Sequence, residues 1–162
     1  MDGLWTAFAV TSGLCGLLMA FAGFLIRGVA RRAAAGELEV DRVAGIRTQA
    51  TTASDEAWSA GHQAAAADSA RAGSVAISAA IASVVVPVAL GLAGVVDAAT
   101  AMVVSTLLLM IGVVVLVALL FRAVRAANAA ARVGELISSH LLARPHEDLL
   151  KAFVPDGKAK KG

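Results

Sequence analysis

The sequence has little charge, few aromatic side chains and a single cysteine. Charged residues make up 16% of the 162 residues and aromatic residues 4%, whereas about a quarter of an ordinary soluble chain is charged. One cysteine, Cys15, cannot form an intramolecular disulfide, so a disulfide-stapled fold is excluded. A formal net charge of +2 is too small to predict a nucleic-acid-binding protein.

Catalytic and metal-binding patterns are also missing. The sequence has no glycine-rich phosphate-binding loop and no recognised Ser-His-Asp or Cys-His arrangement. His62 is near Asp55, Glu56 and Asp68 in sequence, but without the ligand spacing of a metal site. We therefore expect no enzyme, no cofactor and no bound metal.

Hydrophobic residues make up 59% of the chain and are concentrated in three uncharged runs, at 4–26, 73–96 and 101–121. About 20 apolar residues cross the hydrocarbon core of a bilayer as a helix, and lipid offers no partners for the free backbone groups of any other conformation. The short link 97–100 makes the second and third helices an antiparallel hairpin. The sequence thus predicts an all-α fold with three transmembrane helices.

Lysine and arginine fall on one side of these helices only. All 14 of them lie in the loop 27–72 or in the tail 122–162, and none precedes the first run or lies in the link. The positive-inside rule therefore predicts an external N-terminus and link, and a cytoplasmic loop and tail, in the cell (inner) membrane. The first run is too long for a signal peptide and has no basic residues before it, so we expect it to be retained.

The uncharged runs contain no ionisable side chain, which argues against an ion-coupled transporter. They are instead rich in small residues near helical spacing, which let membrane helices approach closely. These residues predict helix packing, within one chain or between two copies, and they include Gly13, Gly16, Ala20, Gly23, Ala79, Ser83, Gly91 and Gly94.

Basic residues flank the spans where anionic lipid headgroups lie. Each basic residue near such a surface contributes about 1 kcal/mol of attraction. We expect the first helix to continue beyond the membrane until Gly36 turns the chain. Contact with anionic lipid, or with a partner, is predicted for Arg27, Arg31 and Arg32 after the first span and for Lys158, Lys160 and Lys161 at the C-terminus.

A second helix is predicted to begin after Ser54. Its hydroxyl is suited to cap a helix, and Asp55 and Glu56 would lie against the positive end of the helix dipole. The helix would continue through Trp58 and His62, which share a face, into the second span. We interpret Trp58 as an anchor at the membrane interface.

The same stretch contains a spaced motif, which consists of Asp41, Gly45, Ile46, Arg47, Thr48, Thr51, Ser54, Trp58 and His62. This motif resembles that of the SdpI family of small bacterial membrane proteins, named for an immunity protein against a secreted killing factor. The resemblance covers about residues 1–96. It departs from the family pattern at Asp41, where Asn is usual, and at Gln49, where Pro is common.

Two interpretations of this motif remain open. Arg47 and the hydroxyls of Thr48, Thr51 and Ser54, beside a helix N-terminus, are suited to bind a phosphate or carboxylate. Alternatively, Arg47 pairs with an acidic residue of the same segment, namely Asp41, Asp55 or Glu56, and fixes the loop beneath the membrane.

The tail is expected to continue the third helix through residues 122–143, to stop at Pro145, and to form a short apolar docking helix at 147–154. An apolar stripe is predicted on the first of these segments, at Val133, Leu136, Ile137, Leu141 and Leu142.

Because the sequence has no catalytic pattern and only three spans, we expect a non-enzymatic protein that acts through protein contacts in and beneath the bilayer. The family resemblance implies the immunity or sensing type. Membrane lipids and other integral membrane proteins, or a second copy of the chain, are the expected partners. An alternative is an accessory subunit of a larger respiratory or transport assembly, and a third is a small oligomeric transporter or channel.

Overall fold

Three long helices form the structure. The computed structural model of the chain describes residues 3–38 and 44–142. Each helix is long and apolar enough to cross a membrane, which confirms the predicted all-α fold with three such helices. They are α1 (Gly3–Ala34), α2 (Asp55–Leu92) and α3 (Ala98–Leu142).

Helices α2 and α3 form the predicted antiparallel hairpin, with small residues along the seam. A methyl group added at Gly61 would lie 3.1 Å from the carbonyl oxygen of Ala127. Near the other end of the same seam, Gly112 lies against Ala79. The chain direction is therefore opposite in the two helices, and their backbones approach as closely as small side chains permit.

Helix α1 packs on the other side of α2, again through small residues. Gly23 and Gly73 face each other so closely that a Cβ atom on either would lie 2.6 Å from the carbonyl oxygen of the other. At the opposite end of this seam Trp5 packs over Gly91. Of the small residues predicted to associate helices, Gly23 and Gly91 thus do so within one chain, whereas a Cβ atom on Gly13 or Gly94 would meet nothing within 4 Å. Contact between α1 and α3 is sparse and includes a hydrogen bond of 3.0 Å between Ser105 and Ser12.

The turn between α2 and α3 differs from the predicted link. Helix α2 ends at Leu92, so the last residues of the predicted span 73–96 belong to the turn, and α3 already begins at Ala98 rather than after residue 100. Gly94 has a φ of +68°, which reverses the chain early. The Asp97 carboxylate accepts a hydrogen bond of 2.8 Å from the Thr100 N–H and so starts α3. This bond holds the pKa of Asp97 below its usual value.

Each of the three uncharged runs has one end at the same level of the helix bundle, next to basic residues. We call this level the basic boundary. Arg27 of α1 donates a hydrogen bond of 2.8 Å to Ser74 of α2. Asp68 of α2 lies 3.0 Å from Arg71 and 3.6 Å from Arg122 of α3. Both arginines of these ion pairs are 67% exposed, so the pairs contribute little to stability. Together with the Arg27 bond they show that the basic residues nearest the uncharged runs lie side by side in the three helices.

All three helices continue past the basic boundary. The N-terminal part of α2, residues 55–72, packs against residues 122–142 of α3, and we call this pair the projecting hairpin. A Cβ atom on Gly134 would meet Ala60 at 3.6 Å, so the two helices stay in contact far from the boundary. The prediction that the third span continues as a helix into the tail is confirmed as far as Leu142; the predicted segment at 147–154 lies outside the described residues.

Candidate functional site

The motif loop, residues 44–54, lies against α2 and α3 beyond the basic boundary, and its residues 44–46 face α1 across an apolar cleft. Its Ile46 side chain packs on a buried alanine cluster formed by Ala65 of α2 with Ala123 and Ala127 of α3. The sequence motif therefore forms one compact unit with the projecting hairpin. Of its members, Asp41 lies outside the described residues.

Ser54 caps α2 as predicted. Its backbone is extended, and its hydroxyl accepts a hydrogen bond of 3.1 Å from the N–H of Ala57. Asp55 and Glu56 follow in the first turn, where negative charge is favourable. This arrangement fixes the point at which the motif loop ends and α2 begins.

Trp58 is a buried core residue, and its interpretation as an anchor at the membrane interface is wrong. Only 2% of its surface is exposed, and its indole N–H donates a hydrogen bond of 3.1 Å to the carbonyl of Leu38. Its ring packs against His62, with the ring centroids 4.0 Å apart. The ring is buried because the chain after α1 folds back over this face of α2, next to Ala33 and Ala66.

His62 holds the motif loop through both ring nitrogens. Its Nε2 lies 2.7 Å from the backbone nitrogen of Ile46. That N–H group can only donate, so Nε2 is the acceptor and the ring proton lies on Nδ1. The Nδ1–H group then donates to the carbonyl of Trp58, 2.8 Å away. His62 thus acts as a neutral bridge between α2 and the motif loop.

Gly45 is required by the same contact. Its φ is +129°, which side chains disfavour. A Cβ atom at this position would lie 2.5 Å from Nε2 of His62 and 3.0 Å from the indole ring of Trp58. The glycine lets the backbone pass directly over both rings, which explains why these three motif positions occur together.

Thr48 and Thr51 close a tight turn within the motif loop. The Thr51 hydroxyl accepts a hydrogen bond of 3.0 Å from the Thr48 N–H and donates one of 2.7 Å to the Ile46 carbonyl. Thr51 is fully buried. The hydroxyl of Thr48 accepts from the Thr51 N–H at 3.2 Å and forms a short hydrogen bond with the Asn128 side chain of α3.

Asn128 is the part of this network that the sequence analysis missed. It is the only asparagine in the chain and stands within a run of alanines on α3. A lone amide among small apolar residues was the available signal. Its pairing with Thr48 depends on the contact between the loop and α3, which no local pattern reveals.

These hydrogen bonds argue against the interpretation of the motif as an anion-binding site. The hydroxyls of Thr48, Thr51 and Ser54 all take part in hydrogen bonds within the chain, so they are committed to the loop's own structure. Arg47 itself is exposed. Within the described part of the chain it forms no salt bridge with Asp55 or Glu56, so its side chain is directed to the surface.

A polar groove of about 370 Å³ lies between the motif loop and α3. Its charged members are Arg132 and Glu135, one turn apart on α3, and its loop side includes Thr48 and Gln49. Oppositely charged side chains here favour a polar protein surface over a site for a single anion.

The basic residues predicted to contact lipid or a partner are placed at the end of α1. Arg31 and Arg32 lie exposed in its last turn, where the helix dipole favours positive charge. Arg27 is instead half-buried against α2 through its bond to Ser74. Lys158, Lys160 and Lys161 lie outside the described residues.

Replacing Thr51 by valine is expected to destabilise the motif loop. The substitution leaves the Ile46 carbonyl and the Thr48 N–H without their partner, at a cost of about 1–3 kcal/mol. Thermal unfolding of the detergent-solubilised protein measures this as a lower midpoint. The matched control is Thr52→Val, which removes an exposed hydroxyl bonded only to the Thr48 carbonyl and is expected to change little. An equal effect of both substitutions would contradict the assignment.

In the described residues, no three histidine, cysteine or acidic side chains lie together as metal ligands would. Comparisons with family models, curated proteins and solved structures find no match for this chain. The function must therefore be argued from the projecting hairpin and its loop.

Proposed function

We propose that this chain is a non-enzymatic protein of the bacterial inner membrane that acts by binding other proteins in and beneath the bilayer, as an SdpI-like immunity or sensing protein. The N-terminus and the turn between α2 and α3 lie outside, and the projecting hairpin lies in the cytoplasm. The charge distribution supports this orientation, because every lysine and arginine falls in the sequence segments 27–72 and 122–162, and none precedes the first uncharged run or lies in the link 97–100.

The observation that carries the proposal is a row of exposed apolar side chains on the projecting hairpin. Val133, Leu136 and Ile137 are 56%, 68% and 56% exposed, although they lie more than two helical turns beyond Arg122 at the basic boundary. Exposed apolar side chains in the membrane spans face lipid, but in water a contiguous patch marks a contact surface. We call these three residues the apolar stripe.

The motif loop supports the same function. Its buried hydrogen bonds fix the loop, while Arg47 and Gln49 are exposed, and Gln49 lines the polar groove. A fixed loop with an exposed arginine resembles the binding surfaces that proteins build on rigid scaffolds. Loss of the Arg47 side chain therefore affects binding more than folding in this proposal.

A second candidate is an accessory subunit of a larger membrane assembly. It is favoured by the spans themselves, because few of their residues are buried within one chain and α1 and α3 barely touch. An accessory subunit co-purifies with fixed partners and accumulates poorly without them. An immunity protein instead protects cells from a secreted toxin, and Arg47→Ala removes that protection.

Leu136→Asp is expected to abolish partner binding while the protein still accumulates. A charge in the centre of the apolar stripe must be desolvated in any complex, which costs at least several kcal/mol. The measurement is the size and composition of the complex that a C-terminally tagged protein forms in mild detergent. Ser139→Asp, which adds the same charge at an exposed polar position nearby, is the control. Complexes of unchanged size in both variants would contradict a role for the stripe.

A further inference from the structure

An apolar cleft of about 480 Å³ opens between α1 and α3, with α2 as its floor and residues 44–46 of the motif loop as its roof. Its walls include Leu25 and Val29 of α1 and Leu120 of α3, and its floor runs from Ser69 to His62. The volume lies within the range of roughly 300–1,000 Å³ that is usual for small-ligand pockets.

The cleft crosses the basic boundary. Leu25 and Leu120 lie on the hydrocarbon side, just before Arg27 and Arg122, whereas His62 and the loop roof lie on the other side. His62 is seven residues from Ser69 on α2, which corresponds to about 10 Å of helix. The apolar cleft therefore extends from the bilayer interior into the headgroup region and beyond, where the acyl chains of bulk lipid do not reach.

Positive charge flanks the upper part of the cleft. Arg32 follows Val29 on the same face of α1, and Arg47 follows Ile46 of the roof; both arginines are exposed. Among the described residues that line the cleft, none is acidic. An occupant with an apolar chain and an anionic end matches this distribution.

We propose that the cleft binds an anionic phospholipid from the adjoining leaflet. One acyl chain runs down the cleft, past Ala30 and Ala66, into the hydrocarbon. The phosphate is raised above the surrounding headgroups and is held by Arg32 and Arg47. The cleft lies on the α1 side of the motif loop, away from the polar groove. It shares Arg47 with the protein contacts proposed above, whereas Arg32 and the apolar lining belong to the lipid site alone.

The test uses the full chain in phosphatidylcholine vesicles that contain phosphatidylglycerol with a photoactivatable acyl chain. Crosslinks are mapped by mass spectrometry and are expected at Ala33 and Ala66, beyond the basic boundary, as well as on the lipid-facing spans. The same photoactivatable chain on phosphatidylcholine is expected to label only the spans. Unlabelled phosphatidylglycerol should compete for the cleft, and unlabelled phosphatidylcholine should not.

Two kinds of variant distinguish the site of the acyl chain from the site of the lipid headgroup. Ala66→Trp fills the cleft and should abolish its labelling, whereas Ala118→Trp, on an exposed face of α3, should leave it unchanged. Arg32→Gln and Arg47→Gln leave the cleft open and should each reduce labelling there roughly fivefold, the contribution of one basic residue at an anionic surface. Arg132→Gln, in the separate polar groove, is the control.

Three results would overturn the proposal. Crosslinks confined to the lipid-facing spans would mean that protein covers the cleft. Equal labelling by phosphatidylcholine and phosphatidylglycerol, or full labelling of the two arginine variants, would exclude recognition of an anionic headgroup. If no protein partner co-purifies with the chain but the cleft is still labelled, that result counts against the proposed function and not against the lipid site.

Discussion

Replacing Gly23 by leucine is expected to separate α1 from α2. The first side-chain atom alone would lie 2.6 Å from the carbonyl oxygen of Gly73 and 2.9 Å from the Ile77 side chain. The carbonyl belongs to a helix backbone and cannot move aside, so the helices must part. Overpacking in a core costs about 1–3 kcal/mol and at times more, which corresponds to a loss of roughly 2–12 °C in the unfolding midpoint for a chain of this size.

Size-exclusion chromatography of the detergent-solubilised protein after stepwise heating measures this loss. Gly13→Leu is the matched control, because it makes the same change on the same helix where a Cβ atom would meet nothing within 4 Å. Equal midpoints for the two variants would contradict the close packing of α1 on α2.

Trp58→Ala is expected to release the motif loop. The substitution removes the indole that bonds to Leu38 and packs on His62, and deleting a buried tryptophan side chain costs about 3–5 kcal/mol. Arg47, within the loop, then becomes a site of rapid trypsin cleavage, because local unfolding exposes the backbone to proteases. Trp58→Phe loses one hydrogen bond, worth about 1 kcal/mol, and should be intermediate.

The rate of trypsin cleavage after Arg47, followed by mass spectrometry, is the measurement. Trp5→Ala is the control, since Trp5 is the only other tryptophan and packs at the far end of α1 against Gly91 and Phe8. Cleavage that is equally fast in both tryptophan variants, or unchanged in Trp58→Ala, would show that Trp58 does not hold the loop.

Much of the fold follows from short-range patterns. The uncharged runs predicted the spans because a bilayer selects for length and hydrophobicity, and Ser54 with its two following acids marked the start of α2. The turn at 93–97 was misplaced because the uncharged run extends beyond the helix, and only the φ of Gly94 and the cap by Asp97 end one helix and begin the next.

The candidate site was less predictable because its contacts join distant segments. The spacing of Trp58 and His62 placed both rings on one face of α2, but nothing local indicated that Gly45 would cover them. Thr48 and Asn128 are 80 residues apart, so their bond depends on how α3 packs beside α2. The small residues at Gly23 and Gly73 predicted close packing without identifying the partner helix.

The most direct test of the account is the side of the membrane on which the projecting hairpin lies. In a Cys15→Ser background, Val95→Cys places a thiol in the exposed turn between α2 and α3, and Ser139→Cys places one on the exposed end of α3. A membrane-impermeant maleimide is expected to label the Val95→Cys variant in intact cells and the Ser139→Cys variant only after permeabilisation. Labelling of the Ser139→Cys variant in intact cells would contradict a cytoplasmic hairpin and, with it, the proposed function.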